Sequence, residues 1–325
     1  MRLISNKIFL NLRRVASAVP RPDTPFTNPT DNPYHDMETP DSHAFGQENP
    51  AKMVRTPHAE THVNSVHEVH YPSGQKGYFK PGVHGLKESA VHQIGNLLGI
   101  ANDSKSTDKL LMPTVMRNHP DYDNHNIPNP SAPRIGSVMQ AAPGESHMLN
   151  NTPDKIQNYK NYHEMALLDA LTGNMDRHPE NVMADHKNKK IHGIDHSEAF
   201  DYDNHTFDPT DTLGGVQHAN RLPHNTPLPP QMLERLRSLP NSDFHEVLDK
   251  MMFHPTMVDK MQNPGTVTLP SGKVKNKAKP LVSGFANTRK HFDNMLNLAR
   301  KSNTFGELRD NYNNHYNPTG AQPDF

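Results

Sequence analysis

The sequence predicts an α+β fold: a small β-rich lobe, then a larger helical lobe, with an extended arm ahead of both. Three observations carry that expectation. Apolar residues alternate in the first half, recur at helical spacing in the second, and lose all periodicity among prolines before residue 55. The expected divisions are 1–55 for an amphipathic N-terminus and Pro-rich arm, 56–140 for the small lobe, 141–305 for the large lobe and 306–325 for a flexible tail.

Each element has its own reason. Met1 to Val19 carries Arg2, Lys7, Arg13 and Arg14, no acid, and Leu3, Ile4, Ile8, Leu10 and Leu12. Lys7 interrupts an apolar run already too short for a signal peptide, so a short docking helix is expected. Pro20, Pro22, Pro25, Pro29, Pro33, Pro40 and Pro50 follow. Proline fixes φ and lacks a donor, which leaves an extended arm and a candidate surface for a protein partner.

Beyond the arm, Val63, Val66, Val69 and Tyr71 stand among polar residues, and Pro72-Ser73-Gly74-Gln75 leads into Lys76 to Phe79. That is a β-hairpin. Ala90, Val91, Ile94, Leu97 and Leu98 share one face of a helix over 88–98, with Gly99 placed to stop it. A proline-rich loop over 119–134 precedes a strand at Ile135 to Gln140. The second half predicts a helix over 156–171, a hairpin of two short strands around 186–189, and helices over 231–239, 244–252 and 282–300.

Composition excludes several classes. Lys and Arg number 34 against 35 Asp and Glu, so the chain is no generic electrostatic binder of nucleic acid. No run of 18 apolar residues exists to span a membrane. Absence of Cys removes disulfides, a thiol nucleophile and Cys-ligated zinc. The 23 His show no metal-ligand spacing such as His-Glu-x-x-His and read as solvated surface. The expected setting is soluble and cytoplasmic, with a virus particle or an organelle as alternatives.

The densest polar constellation is Gly173-Asn174-Met175-Asp176-Arg177-His178-Pro179-Glu180-Asn181, followed after a hairpin by Asp195. Magnesium takes hard oxygen ligands and few of them from protein. An Asn amide and an Asp carboxylate at the two ends of one hairpin can reach one ion, which makes Asn181 and Asp195 metal-ligand candidates. Asp176, five residues before that Asn, can take a proton from an acceptor hydroxyl as catalytic base. Base, Asn and a second Asp after two strands is the division of labour in phosphoryl transfer. Lys80, ending a strand, is the candidate cation for nucleotide phosphates, with Glu88 in the first turn of the next helix as its partner.

The motif Asp176-Arg177-His178-Pro179-Glu180-Asn181-Val182-Met183, with His192-Gly193-Ile194-Asp195, resembles the phosphatidylinositol 3- and 4-kinase superfamily. Gly74 to Pro81 and Leu171 to His178 are similar to the secretory-pathway Fam20-like kinases, and the Phe79-Lys80-Pro81 strand to HipA-type kinases. The resemblance, over roughly residues 60 to 300, implies a two-lobed protein-kinase-like fold. It implies ATP and Mg2+ (or Mn2+) as cofactors, with Lys80 and Glu88 on the nucleotide, Asp176 as base, Asn181 and Asp195 on the metal, and His178 structural. Two departures stand out: His196-Ser197 follows Asp195 where a glycine is usual, and no glycine lies between Arg55 and Tyr71. The leading expectation is an ATP-dependent phosphotransferase acting on a protein, lipid or small-molecule hydroxyl. The alternatives are a degenerate kinase serving as an interaction module, as in a virus particle or toxin system, and an AMP transferase.

Overall fold

The computed structural model describes residues 33–34, 37, 52–55, 66–101, 108–118, 135–146, 156–174, 176–200, 219, 221–262, 266–268, 274–276 and 281–316. The expected helix at 1–19, most of the arm, the 119–134 loop and the tail after Tyr316 lie outside them. The described parts of 1–90, 113–141 and 245–287 form one compact unit, and those of 91–112, 142–244 and 288–325 a second. The chain therefore returns to its first unit late, a division that linear boundaries do not express.

The first unit holds a five-stranded antiparallel sheet: β1 (Lys52–Arg55), β2 (His67–His70), β3 (Lys76–Pro81), β4 (Thr114–Asn118) and β5 (Ile135–Gln140), in the order β1-β2-β3-β5-β4. The expected hairpin is β2–β3, its turn closed by Tyr71 N–H donating to Gln75 O at 3.0 Å and by Gly74 at φ +84°. Val69, Tyr71, Phe79, Val115 and Val138 pack into one buried cluster, so alternation in the sequence became one apolar face.

Helix α1 (Gly82–Leu98) starts six residues earlier than its apolar stripe suggested and ends, as expected, at Gly99 with φ +75°. Gly82 takes φ +63°, so strand passes into helix without a loop. Gly85 then allows a close approach, because a Cβ there would lie 2.2 Å from Lys80 O and 2.5 Å from Ser137 N. Glu88 consequently sits about two turns into α1, not in its first turn.

The arm carries more structure than its prolines suggested. Residues 52–55 pair with β2 as an edge strand, and Tyr34 is 1% exposed with its hydroxyl donating to Val247 O at 3.3 Å. Burial raises the Tyr34 pKa well above its ordinary value. The arm thus supplies a strand and an anchor, and the boundary expected at residue 55 falls inside the sheet. Truncating a buried aromatic costs roughly 3–5 kcal/mol, so Tyr34→Ala is expected to lower the urea midpoint measurably, while Tyr34→Phe costs about 1 kcal/mol. An unchanged Tyr34→Ala midpoint would make the arm a passive strap.

In the second unit, β6 (Glu145–Ser146), β7 (Val182–Asp185) and β8 (Lys190–Gly193) form a three-stranded antiparallel sheet. Helix α2 (Tyr162–Thr172) begins later than expected. Asn161 has φ 74°, and its amide donates to Asp108 O and Ile191 O, so residues 157–160 turn away from the helix and Lys160 bridges Lys190 of β8. Gly173 stops α2 in the left-handed region.

Helices α3 (Pro230–Ser238), α4 (Asn241–Met252) and α6 (Leu281–Lys301) lie within three residues of their expected bounds at either end. Phe200, Phe244 and Phe292 meet as tilted ring pairs at centroid distances of 6.4 and 6.0 Å. Helix α5 (Pro255–Gln262), the strand pair β9 (Thr266–Thr268) and β10 (Val274–Asn276), and α7 (Phe305–Tyr316) were not expected. The flexible tail placed from residue 306 is a helix through Tyr316, because Phe305, Leu308 and Tyr312 are buried. Its start is capped in both directions: Glu307 N–H donates to Thr304 Oγ1 at 3.1 Å, and Asn303 N–H to Glu307 Oε2 at 2.6 Å.

Candidate functional site

The expected site residues gather in two groups, one in each unit. In the first, β3 carries Lys80 and α1 carries Glu88, and Lys80 Nζ lies 2.6 Å from Glu88 Oε1. Both are buried, at 6% and 3% exposure. Gly85 and Gly136 explain the placement: a Cβ on either would come within 2.2 Å of Lys80 O, so only glycine lets α1 and β5 press against that strand end. The pairing expected from sequence is present. The two glycines were not foreseen, since their role depends on neighbours distant along the chain.

In the second unit the network starts from Asp169, which the sequence reading missed. Asp169 lies on α2 with no exposure and receives a two-pronged contact from Arg177, Nε to Oδ2 at 2.9 Å and an Nη to Oδ1 at 3.0 Å. Asn174 Nδ2 donates to the same carboxylate at 3.2 Å. The other arm of the guanidinium donates to Asn181 O at 2.7 Å and to Ile194 O. Arg177 thereby ties the loop to both ends of the β7–β8 hairpin. A fork fixed by a buried carboxylate is suited to that task because it offers several donors in one plane. An acid inside the apolar run Met165-Ala166-Leu167-Leu168-Asp169-Ala170-Leu171 was the available sequence signal.

Asp176 is held by its backbone while its side chain stays about half exposed, at 51%. Its N–H donates to Asn174 Oδ1 at 3.3 Å, and its carbonyl accepts from Asn181 Nδ2 at 2.7 Å and from His178 N–H at 2.9 Å. His178 Nε2 lies 3.7 Å from the carboxylate. His178 also accepts from Glu180 N–H at 3.3 Å, capping the short 3-10 turn Pro179–Asn181, which matches the structural part expected of it.

Asn181 and Asp195 flank the open end of the hairpin. Val182 pairs with Gly193, and Ile194 N–H donates to Asn181 O at 3.1 Å, one residue short of Asp195. Because Asn181 spends its amide N–H on a carbonyl, its hard Oδ1 is the atom left for a cation. Asp195 has φ 55° and its Oδ1 accepts from Ser197 N–H at 3.3 Å and Ser197 Oγ–H at 2.6 Å. Arg177 donates to His196 Nδ1 at 2.9 Å; a guanidinium cannot accept, so His196 is neutral with its proton on Nε2. The donor set fits a hard ion such as magnesium, which needs few protein ligands. No group of three or more His, Asp or Glu among the described residues is placed to hold a metal alone.

Two buried histidines and a half-buried one are expected to make the protein acid-sensitive. Burial lowers His92 to about 4, and it lowers His163 and His192 as well. The unfolded chain then binds more protons than the folded one, so stability is full above pH 6.5 and falls as pH drops toward 4. His92 alone accounts for about 3 kcal/mol over that window. His92→Gln is expected to flatten the pH dependence of the denaturation midpoint between pH 6.5 and 4; an equally steep profile would remove His92 as its source.

Residues 116–264 match the family described as phosphatidylinositol 3- and 4-kinase. The chain is similar to these kinases. Asp176, Asn181 and Asp195 lie inside that span, and Lys80 and Glu88 lie before it. No curated protein matches the sequence. Solved structures do match, and two of them are of the Golgi casein kinase. A crystal structure of the Golgi casein kinase is 15% identical, covering 80% of this chain and 75% of that one at a TM-score of 0.39. The Golgi casein kinase with Mn and ADP bound is 13% identical, covering 85% and 75% at 0.44. No helix among the described residues is long and apolar enough to cross a membrane.

Proposed function

We propose that the chain is an ATP- and magnesium-dependent phosphotransferase that moves the terminal phosphate of ATP to a hydroxyl on a protein, lipid or small molecule. The observation that carries this reading is the Arg177 clamp. It ties the loop that carries Asp176 to Asn181 and to Ile194, the residue before Asp195, and so supports a base, an Asn and a second Asp acting together as in phosphoryl transfer. Magnesium or manganese, when bound, would neutralise charge on the β- and γ-phosphates. Asn181 Oδ1 and the Asp195 carboxylate would hold it. Lys80 would neutralise phosphate oxygens, kept in one rotamer by Glu88. Asp176 would accept the acceptor hydroxyl proton as its oxygen bonds to phosphorus and the bond to the ADP oxygen breaks. Its half-exposed carboxylate on a fixed backbone suits a group that must meet a variable acceptor.

The nucleotide part of this reading is tested by calorimetry with ATP and magnesium. Lys80→Met is expected to weaken ATP binding at least about tenfold, since a lost charged contact is worth roughly 1.5–3 kcal/mol. Unchanged affinity in a folded variant would detach Lys80 from the nucleotide.

A further inference from the structure

The stretch after Asp195 departs from the resembling kinases at His196-Ser197, and the structure gives Ser197 a defined task. Its hydroxyl and its backbone N–H both donate to the same oxygen, Asp195 Oδ1, at 2.6 and 3.3 Å. Ser197 is buried, at 3% exposure, so water cannot readily take its place. The preceding residue is pinned too, because His196 Nδ1 accepts from the Arg177 guanidinium. Asp195 itself sits at φ 55°, a conformation that Asp tolerates better than most residues. One carboxylate oxygen is therefore committed to the protein before any cation arrives.

We propose that Ser197 is a positioning residue that makes Asp195 a one-oxygen ligand and thereby biases the site toward magnesium over calcium. The inference rests on the metal-binding reading of Asn181 and Asp195 given above. Its chemistry is a matter of size. Magnesium demands near-octahedral geometry at about 2.0–2.1 Å and takes carboxylates through single oxygens. Calcium accepts 6–8 ligands at about 2.3–2.6 Å and readily takes both oxygens of one carboxylate. A carboxylate with Oδ1 occupied by two donors cannot offer both oxygens without giving up those bonds. Removing the hydroxyl takes away the shorter of the two bonds and leaves the 3.3 Å one from the backbone N–H, which eases a swing of Oδ1 toward the ion, helps the larger cation and loosens the smaller one.

The test is calorimetric titration of Mg2+ and of Ca2+ into the full chain at saturating ADP, which needs no turnover. For Ser197→Ala the ratio of magnesium to calcium affinity is expected to fall about tenfold, within the 10- to 100-fold range of outer-shell changes at metal sites. Ser197→Thr keeps the hydroxyl and is expected to restore the wild-type ratio. Equal loss for both ions, or no change, would overturn the proposal and leave Ser197 a merely structural residue. Wild-type protein that binds neither ion in the presence of ADP would overturn the metal-site reading and this inference with it. Thermal unfolding in metal-free buffer checks that Ser197→Ala is folded; if it is not, Ser197→Cys, whose thiol is a weak donor, is read against the same ratio.

Discussion

Arg177→Ala is expected to destabilise the protein by about 3–5 kcal/mol, the range for breaking a buried ion pair by removing one partner. The side chains of Arg177 and Asp169 are both fully buried, so the loss is not cushioned by solvent. Four groups would lose the guanidinium at once: the Asp169 carboxylate, left with the Asn174 amide, the carbonyl of Asn181, left with the Ile194 N–H, the carbonyl of Ile194, and His196 Nδ1. Each buried polar group left without its partner adds its own desolvation cost. Arg177→Lys keeps the charge and loses the fork, so it is expected to recover only part of the stability. Denaturant midpoints of both variants check this. Arg177→Ala within about 0.5 kcal/mol of wild type, the usual span of an ordinary surface substitution, would mean that the clamp does not hold the loop.

Asp195→Asn is expected to abolish most metal-dependent nucleotide binding while leaving the fold intact. Asn tolerates the left-handed backbone at this position as Asp does, and its carbonyl oxygen can still accept from Ser197. What it loses is the negative charge facing a doubly charged ion. Outer-shell substitutions at metal sites cost 10- to 100-fold, so loss of a charged ligand is expected to exceed about 100-fold in the magnesium dependence of ATP affinity. Calorimetry at varied magnesium reads this directly. An unchanged dependence would move the metal away from Asp195.

Much of the local structure was legible because it is written in short-range periodicity. The β2–β3 hairpin, the apolar stripe of α1, β5, the β7–β8 pair and α2's glycine stop all follow from spacing and turn residues close in the chain. The missed parts depend on distant partners. Tyr34 meets Val247, 213 residues away, and nothing around Tyr34 announces that. The early start of α1 comes from Gly85 seating against β3 and β5. Asn161 leaves its helix to bond Asp108 and Ile191. Helix α7 is a different case: Thr304-Phe305-Gly306-Glu307 is a readable capping box, obscured by the Asn-rich stretch behind it. At the site, residue types and order pointed to Lys80, Glu88, Asp176, Asn181 and Asp195. The Asp169–Arg177 clamp that holds the loop was not read, since burial of an acid shows only once the helix is packed.

The terminal phosphate of ATP is expected to move, with Asp176 assisting the transfer. The measurement is ADP formation and label transfer from ATP labelled at the γ-phosphate or at the α-phosphate, with magnesium, for wild type and Asp176→Asn. The γ label is expected to leave ATP with wild type. Asp176→Asn is expected to slow that step by about 10²–10⁴-fold at unchanged ATP affinity, the usual contribution of a general base. Transfer of the α label would contradict the account by making the chain a nucleotidyl transferase, and equal rates for the two proteins would remove Asp176 from the chemistry. ATP bound tightly by a wild-type chain that moves neither label would contradict it most directly, as a nucleotide-binding module without turnover.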